Sequence, residues 1–160
     1  MAQLTIPFEF EADYSAANFV VLGCNREAYN ALPNTPQALL IGERESGKTH
    51  LLKMWQDYFP TGDIIENIDL MSPQGQETAF HIYNQAMSAH TPLLVTITQP
   101  LSESLEMLPD LKTRLSTLPQ LEITLPTESD LRVLIHKWLT DRQVEVDDSA
   151  ITYLLNHAPR

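Results

Sequence analysis

The chain has a single cysteine, Cys24, among its 160 residues. One thiol cannot close an internal disulfide, which predicts a reducing, cytoplasmic setting. No apolar run approaches the ~18 residues that a bilayer-spanning helix requires, so no membrane span is expected. The N-terminus has no basic stretch followed by an apolar one, so no secretory leader is expected either. Basic residues are scarce: 10 Lys and Arg stand against 21 Asp and Glu, a net charge of −11. So acidic a surface repels phosphate backbones, and no Lys/Arg cluster offsets it, which argues against direct DNA or RNA binding. Internal repeats and low-complexity stretches are also missing. What remains is a chain of ordinary hydrophobic content (43%), long enough for one domain or for one domain and part of a second.

One stretch organises the rest. Gly42-Glu43-Arg44-Glu45-Ser46-Gly47-Lys48-Thr49 fits G-x-x-x-x-G-K-[ST] at every fixed position. The apolar residues Ala38 to Ile41 before it read as a buried strand, and His50 to Trp55 after it read as the first turns of a helix. Strand, glycine loop and helix in that order form a phosphate-binding site, with backbone N–H groups turned inward and a helix N-terminus adding partial positive charge. Lys48 is expected at the β- and γ-phosphates and the Thr49 hydroxyl at Mg²⁺, so the expected ligand is a nucleotide triphosphate or diphosphate with Mg²⁺. The bland alternative is a glycine-containing turn between a strand and a helix.

Around this site the chain alternates. Asn25 to Leu32 reads as a helix capped by Asn25, ended by Pro33 and Pro36. Asp63 to Asp69 is a short apolar strand running into carboxylates. In a P-loop domain, one carboxylate at such a strand end holds the hydrated Mg²⁺ and its neighbour orients the attacking water. Glu66 and Asp69 are the candidates, Glu66 also as a metal ligand; the alternative is a solvated strand end. Gln74 to His90 carries Ala79, Ile82, Tyr83, Ala86 and Met87 at helical spacing, a core-facing stripe. Pro92 to Thr98 is a buried strand with Thr98 at its carboxyl end, where ligands of parallel sheets gather, so Thr98 is a candidate for the γ-phosphate or the attacking water. A partly helical stretch over 101–118, a strand over 121–125, a helix capped by Thr127 with Asp130 three residues on, and a last helix from Asp147 complete the chain. This alternation predicts an α/β fold: a parallel sheet covered by helices on both faces, followed by a helical annex.

The N-terminal Gln3-Leu4-Thr5-Ile6-Pro7-Phe8 has two readings from its residues. It is an edge strand or tail, or it is a linear peptide whose Gln, aliphatic and aromatic side chains dock in a groove.

Several pieces together resemble the DnaA-related AAA+ family. Asn18-Phe19-Val20-Val21 is similar to the box that precedes its nucleotide site, and Gly42, Lys48-Thr49-His50-Leu51-Leu52 to its Gly-Lys-Thr-His-Leu-Leu. Leu108-Pro109-Asp110-Leu111-Lys112-Thr113-Arg114-Leu115 is similar to its Leu-Pro-Asp-Leu-x-Ser-Arg-Leu, and Asp141 to Val146 to the start of its lid. The resemblance implies a clamp-binding peptide over 1–10, an AAA+ nucleotide-binding domain over 11–125 and the start of a helical lid over 126–160. It implies nucleotide contacts from Gly42 through His50, from Thr98 and from a lid arginine, Arg160. It also implies that Arg114 is a trans-acting arginine finger, and that Gln3, Leu4, Ile6, Pro7 and Phe8 bind the polymerase sliding clamp. Within the family, the acidic balance and the terminal peptide resemble the Hda-type regulators, which promote ATP hydrolysis by DnaA and so limit replication initiation. DnaA, the clamp and a homo-oligomer are then the expected partners. Two departures stand out. Only residues 56–65 join Trp55 to Glu66, too few for the strand and helix the family places there, and Glu66-Asn67 stands where initiators have two adjacent aspartates. The second departure predicts weak hydrolysis by the chain alone. The competing readings are a self-sufficient small P-loop ATPase or kinase, and a nucleotide-gated adaptor with no catalytic role.

Overall fold

The structure, a computed structural model, describes residues 14–144 and 147–157. Its centre is a four-stranded parallel sheet: β1 (Gln37–Ile41), β2 (Asp63–Ile65), β3 (Leu93–Ile97) and β4 (Gln120–Glu122), in the order β2-β3-β1-β4. Six helices accompany it among the described residues: α1 (Arg26–Ala31), α2 (Lys48–Tyr58), α3 (Pro73–Ala89), α4 (Pro109–Leu115), α5 (Glu128–Asp141) and α6 (Asp148–His157). The α/β fold expected from the alternation is the fold found.

The two central strands are apolar at nearly every position because parallel strands flanked by helices have no face in water. Successive side chains then divide between two cores. Leu39 and Ile41 of β1 join Leu93, Val95 and Ile97 of β3 against Ala79, Tyr83 and Ala86 of α3 and Leu111 and Leu115 of α4. Ala38 and Leu40, with Leu94, face the other way onto Ala28 of α1 and Leu51, Leu52, Met54 and Trp55 of α2. β1 aligns with β3 from Gln37↔Leu93 to Ile41↔Ile97, which brings the carboxyl ends of both strands to one edge. That edge carries the site.

β4 ends at Glu122, earlier than the apolar spacing predicts, although the Ile123 N–H still donates to Ile41 O at 2.8 Å. β2 also stops short, at Ile65, because Asn67 adopts left-handed backbone (φ 48°), a conformation that asparagine tolerates better than most residues. Asp69 consequently sits on the 3-10 turn Ile68–Leu70 and not on the strand.

Between α2 and β2 lie only Phe59, Pro60, Thr61 and Gly62, so no strand or helix intervenes there. Such a short return works because it tucks under Trp55. The Phe59 N–H donates to Trp55 O and the Gly62 N–H to Phe59 O, both at 2.9 Å. Trp55 is fully buried, and its indole N–H reaches Thr35 O at 3.1 Å. A Cβ on Gly62 would stand 2.4 Å from the Trp55 ring, inside any real contact distance. Gly62→Ala is therefore expected to destabilise the fold by about 1–3 kcal/mol through overpacking, read as a lowered Tm. An unchanged Tm would mean that the turn can back away from the indole.

Candidate functional site

Three strand ends converge. The loop after β1 is Gly42 to Gly47, and the Gly42 N–H donates to Ile97 O at 3.2 Å, tying the loop to the end of β3. Glu45 (φ 63°) and Gly47 (φ 96°) both take left-handed backbone, which turns the loop sharply before α2 starts at Lys48. Lys48 is 8% exposed, and its ammonium donates to Gly42 O and Glu43 O, each at 2.6 Å. Burial lowers its pKa from the ordinary lysine value; the negative charge of Asp69 opposes that shift and Arg44 adds to it. A Cβ on Gly42 would meet Ser46 Oγ at 2.6 Å, so glycine is required where the loop closes on itself. Ser46 Oγ is buried and has no hydrogen-bond partner. A cation held only by carbonyls, an orphan hydroxyl and a glycine-tight turn at a helix N-terminus suit a phosphate oxygen. Thr49 is exposed on the first turn of α2, as a hydroxyl for Mg²⁺ would be.

The carboxylates differ from one another. Glu66, just past β2, is exposed. Asp69 is half-buried and already engaged: the Thr98 N–H donates to its two oxygens at 3.1 and 3.0 Å, and the Thr98 hydroxyl donates to it as well. Asp69 and Thr98, read separately from the sequence, thus form one unit beside Lys48. Thr96, buried in β3, accepts the Asn67 N–H on Oγ1 at 2.8 Å and holds the turn that places Asp69. Among the described residues no cluster of three His, Cys, Asp or Glu side chains could hold a metal by itself, so a cation here would share its ligands with phosphate.

A cleft of about 900 Å³ runs from Glu43–Gly47 and His50 to a second wall built from Asn18, Phe19, Val20, Leu22, Cys24 and Asn25. Asn25 was expected to cap α1, yet its side chain makes no cap bond. It instead accepts the Leu22 N–H at 2.8 Å and donates to Val20 O at 3.0 Å, bracing the turn that lines the cleft. His50 lies edge-on to Phe19 and sets Nε2 2.8 Å from Ser15 O, fixing this segment onto α2. Cys24 also lines the cleft; burial and then the charge of Asp130 push its thiol pKa up.

The third wall is α5, whose contribution the sequence disguises. Leu131, Leu134, Ile135, Trp138 and Leu139 share one face of the helix, yet its only buried residue is Asp130. Leu134, Ile135, Lys137, Trp138 and Arg142 line the cleft instead. The predicted Thr127–Asp130 capping box is present, and Asp130 also accepts the Gly23 N–H at 3.3 Å. These bonds, those from Thr127 foremost, hold the Asp130 carboxyl below its usual pKa. Lys137 donates to Asn18 Oδ1 at 2.5 Å, a second tie between α5 and the opposite wall.

Arg114 lies apart from the cleft, exposed near the end of α4. Its guanidinium stands 5.1 Å from the Phe80 ring centroid. The i, i+4 ion pair with Asp110 that its spacing allows is absent; the two ion pairs among the described residues are Arg132–Glu128 and Lys137–Asp141. Arg160 and the Gln3–Phe8 peptide lie outside the described residues.

Strand, glycine loop, helix and polar groups on the neighbouring strand ends define a P-loop α/β domain. Its fold is that of the AAA+ domains of DnaA initiators. The chain superposes on the replication initiator DnaA bound to AMPPCP and single-stranded DNA with a TM-score of 0.78 at 19% identity, over 91% of this chain and 60% of that one. AMPPCP-bound DnaA from Aquifex aeolicus gives 0.76 at 20% identity over the same shares. Domain III of Thermotoga maritima DnaA gives 0.75 at 16% identity, over 91% and 81%. Thermotoga maritima RuvB is less similar, at 0.59 and 16% identity over 89% and 58%. No family model and no curated protein sequence matches the chain. Identities this low establish likeness of fold, and the chain spans 60% of the length of the first of these initiators.

Lys48→Ala is expected to leave Tm nearly unchanged, since the side chain belongs to neither core, and to weaken ADP binding by ~1.5–3 kcal/mol, roughly ten- to a hundredfold. Calorimetric titration checks this, and equal affinity in the folded variant would remove Lys48 from the site.

Proposed function

We propose that this chain is a nucleotide-binding AAA+ regulator of the Hda type, which binds ADP or ATP with Mg²⁺, docks on the sliding clamp and promotes ATP hydrolysis by DnaA. In this reading the Gly42–Gly47 loop and Lys48 hold the phosphates, and Thr49 with Glu66 holds the hydrated Mg²⁺. The Gln3, Leu4, Ile6, Pro7 and Phe8 side chains insert into the clamp. Arg114 enters the nucleotide site of a neighbouring DnaA.

The observation that carries the reading is the state of Arg114. Its charge is exposed, unpaired by any carboxylate among the described residues, and braced only by the face of Phe80. A guanidinium in that condition can meet a γ-phosphate on another molecule, where it stabilises transition-state charge and can accelerate hydrolysis by ~10³–10⁵. The Asp69–Thr98 unit favours the same reading over a self-sufficient ATPase or kinase. A carboxylate already engaged by both the N–H and the hydroxyl of Thr98 is poorly placed to activate water, and Asn67 supplies no second acid. A nucleotide-gated adaptor without a catalytic role remains as the second reading, and the same assay separates it.

The assay is phosphate release from DnaA-bound ATP with clamp loaded on DNA. Wild-type chain is expected to accelerate it. Arg114→Ala should fold and bind ADP and clamp normally yet stimulate nothing, and Arg114→Lys should fail nearly as badly, because an ammonium cannot reproduce the planar fork. Full stimulation by the alanine variant would leave the adaptor reading in front. Gln3→Ala with Leu4→Ala should abolish clamp capture at unchanged Tm, because a few anchor side chains dominate such contacts. Retained capture would move the clamp contact elsewhere on the chain.

A further inference from the structure

We propose that Trp138, backed by Arg142, is the surface on which the base of the bound nucleotide stacks. The inference rests on the reading of the Gly42–Lys48 loop as a phosphate site and assigns the other end of the same ligand.

Three observations converge on it. Trp138 lines the cleft that the phosphate loop also lines, and it is 54% exposed. Large aromatic side chains on a helix are usually buried, so an indole left open inside a ligand-sized cleft has surface to offer. The second observation is the condition of its ring. Arg142 places its guanidinium carbon 3.9 Å from the ring centroid and donates from Nη1 to Trp138 O at 3.2 Å, which fixes the cation over one face of the indole. Arg142 covers one face, and more than half of the side chain remains accessible. Trp138 makes no ring–ring contact among the described residues. The other aromatics of the cleft are engaged: Tyr14 stands edge-on to His50 at 5.6 Å, and Phe19 stacks on Tyr29 at 5.5 Å. A cation on one face draws electron density from the indole, which favours an electron-rich base on the other.

The third observation is that the helix is held where this surface is useful. Asp130 accepts the Gly23 N–H at 3.3 Å and Lys137 donates to Asn18 Oδ1 at 2.5 Å, so α5 is tied at two points to the wall facing it. Trp138 follows Lys137 directly, and its position across the cleft is therefore set by bonds independent of any ligand. Aromatic stacking of this kind tolerates any base and adds binding that pyrophosphate cannot share.

The test uses the whole chain, ADP and inorganic pyrophosphate. Trp55 is fully buried in the core, so a ligand-dependent change in tryptophan fluorescence reports Trp138. ADP is expected to quench that emission while pyrophosphate leaves it nearly unchanged. Trp138→Ala is expected to weaken ADP about tenfold or more and Trp138→Phe only a few-fold, with pyrophosphate affinity equal in all three proteins. Because the side chain is exposed, both variants should keep the wild-type Tm. Unaltered ADP affinity in Trp138→Ala, or an equal loss for pyrophosphate, overturns the stacking surface while the phosphate site stands. A wild-type chain that binds neither compound overturns the phosphate-site reading and this one with it.

Discussion

The geometry of the site depends on how one buried ammonium is satisfied. Lys48 opens α2 with its charged end inside a loop of backbone, and two carbonyls of that loop, Gly42 O and Glu43 O, hold it. Charge taken out of water without hydrogen bonds would be prohibitive, so the loop must curl around the amine. That curl dictates the rest: left-handed backbone at Glu45 and Gly47, no side chain at Gly42, and the start of α2 aimed at the end of β3. The sheet supplies the anchor, since β1 and β3 end in register and the loop bonds back to Ile97.

Around that anchor the cleft is assembled from segments distant in sequence. The turn from Val20 to Asn25, braced by Asn25, faces α5 across the ligand space. Asp130 and Lys137 link those walls through backbone and side-chain bonds that span more than a hundred residues of chain. The phosphate end is thus built locally and the far end only by tertiary contact. Motion of α5 must break or carry these two ties.

This difference explains which features could be read from the sequence. The phosphate loop was legible because its chemistry demands fixed residues within eight positions, and β1, β3 and the Thr127–Asp130 box were legible because period and capping are local signals. Asn25 does stand at the N-cap position of α1, but its side chain bonds to Leu22 and Val20, which precede the helix, and leaves the helix N–H groups alone. Asp69 was placed on a strand because nothing in the local pattern announces that Asn67 turns left-handed and ends it. What the apolar stripe on α5 faces was not legible, because an apolar helix face looks the same whether it meets a sheet or a cleft. The missing strand and helix before β2 were visible as an absence, but the device that permits it, Gly62 beneath Trp55, emerged only from packing.

Calorimetric titration of the wild-type chain with ADP and with ATP, each with and without Mg²⁺, tests the central claim of a working phosphate site most directly. The account predicts one nucleotide bound per chain, with Mg²⁺ strengthening ATP more than ADP because the additional phosphate brings further oxygen ligands to a cation that the protein cannot hold alone. Adenosine, which lacks phosphate, should bind far more weakly than either. No heat from ADP or ATP at millimolar concentration, or adenosine binding as tightly as ADP, would contradict it.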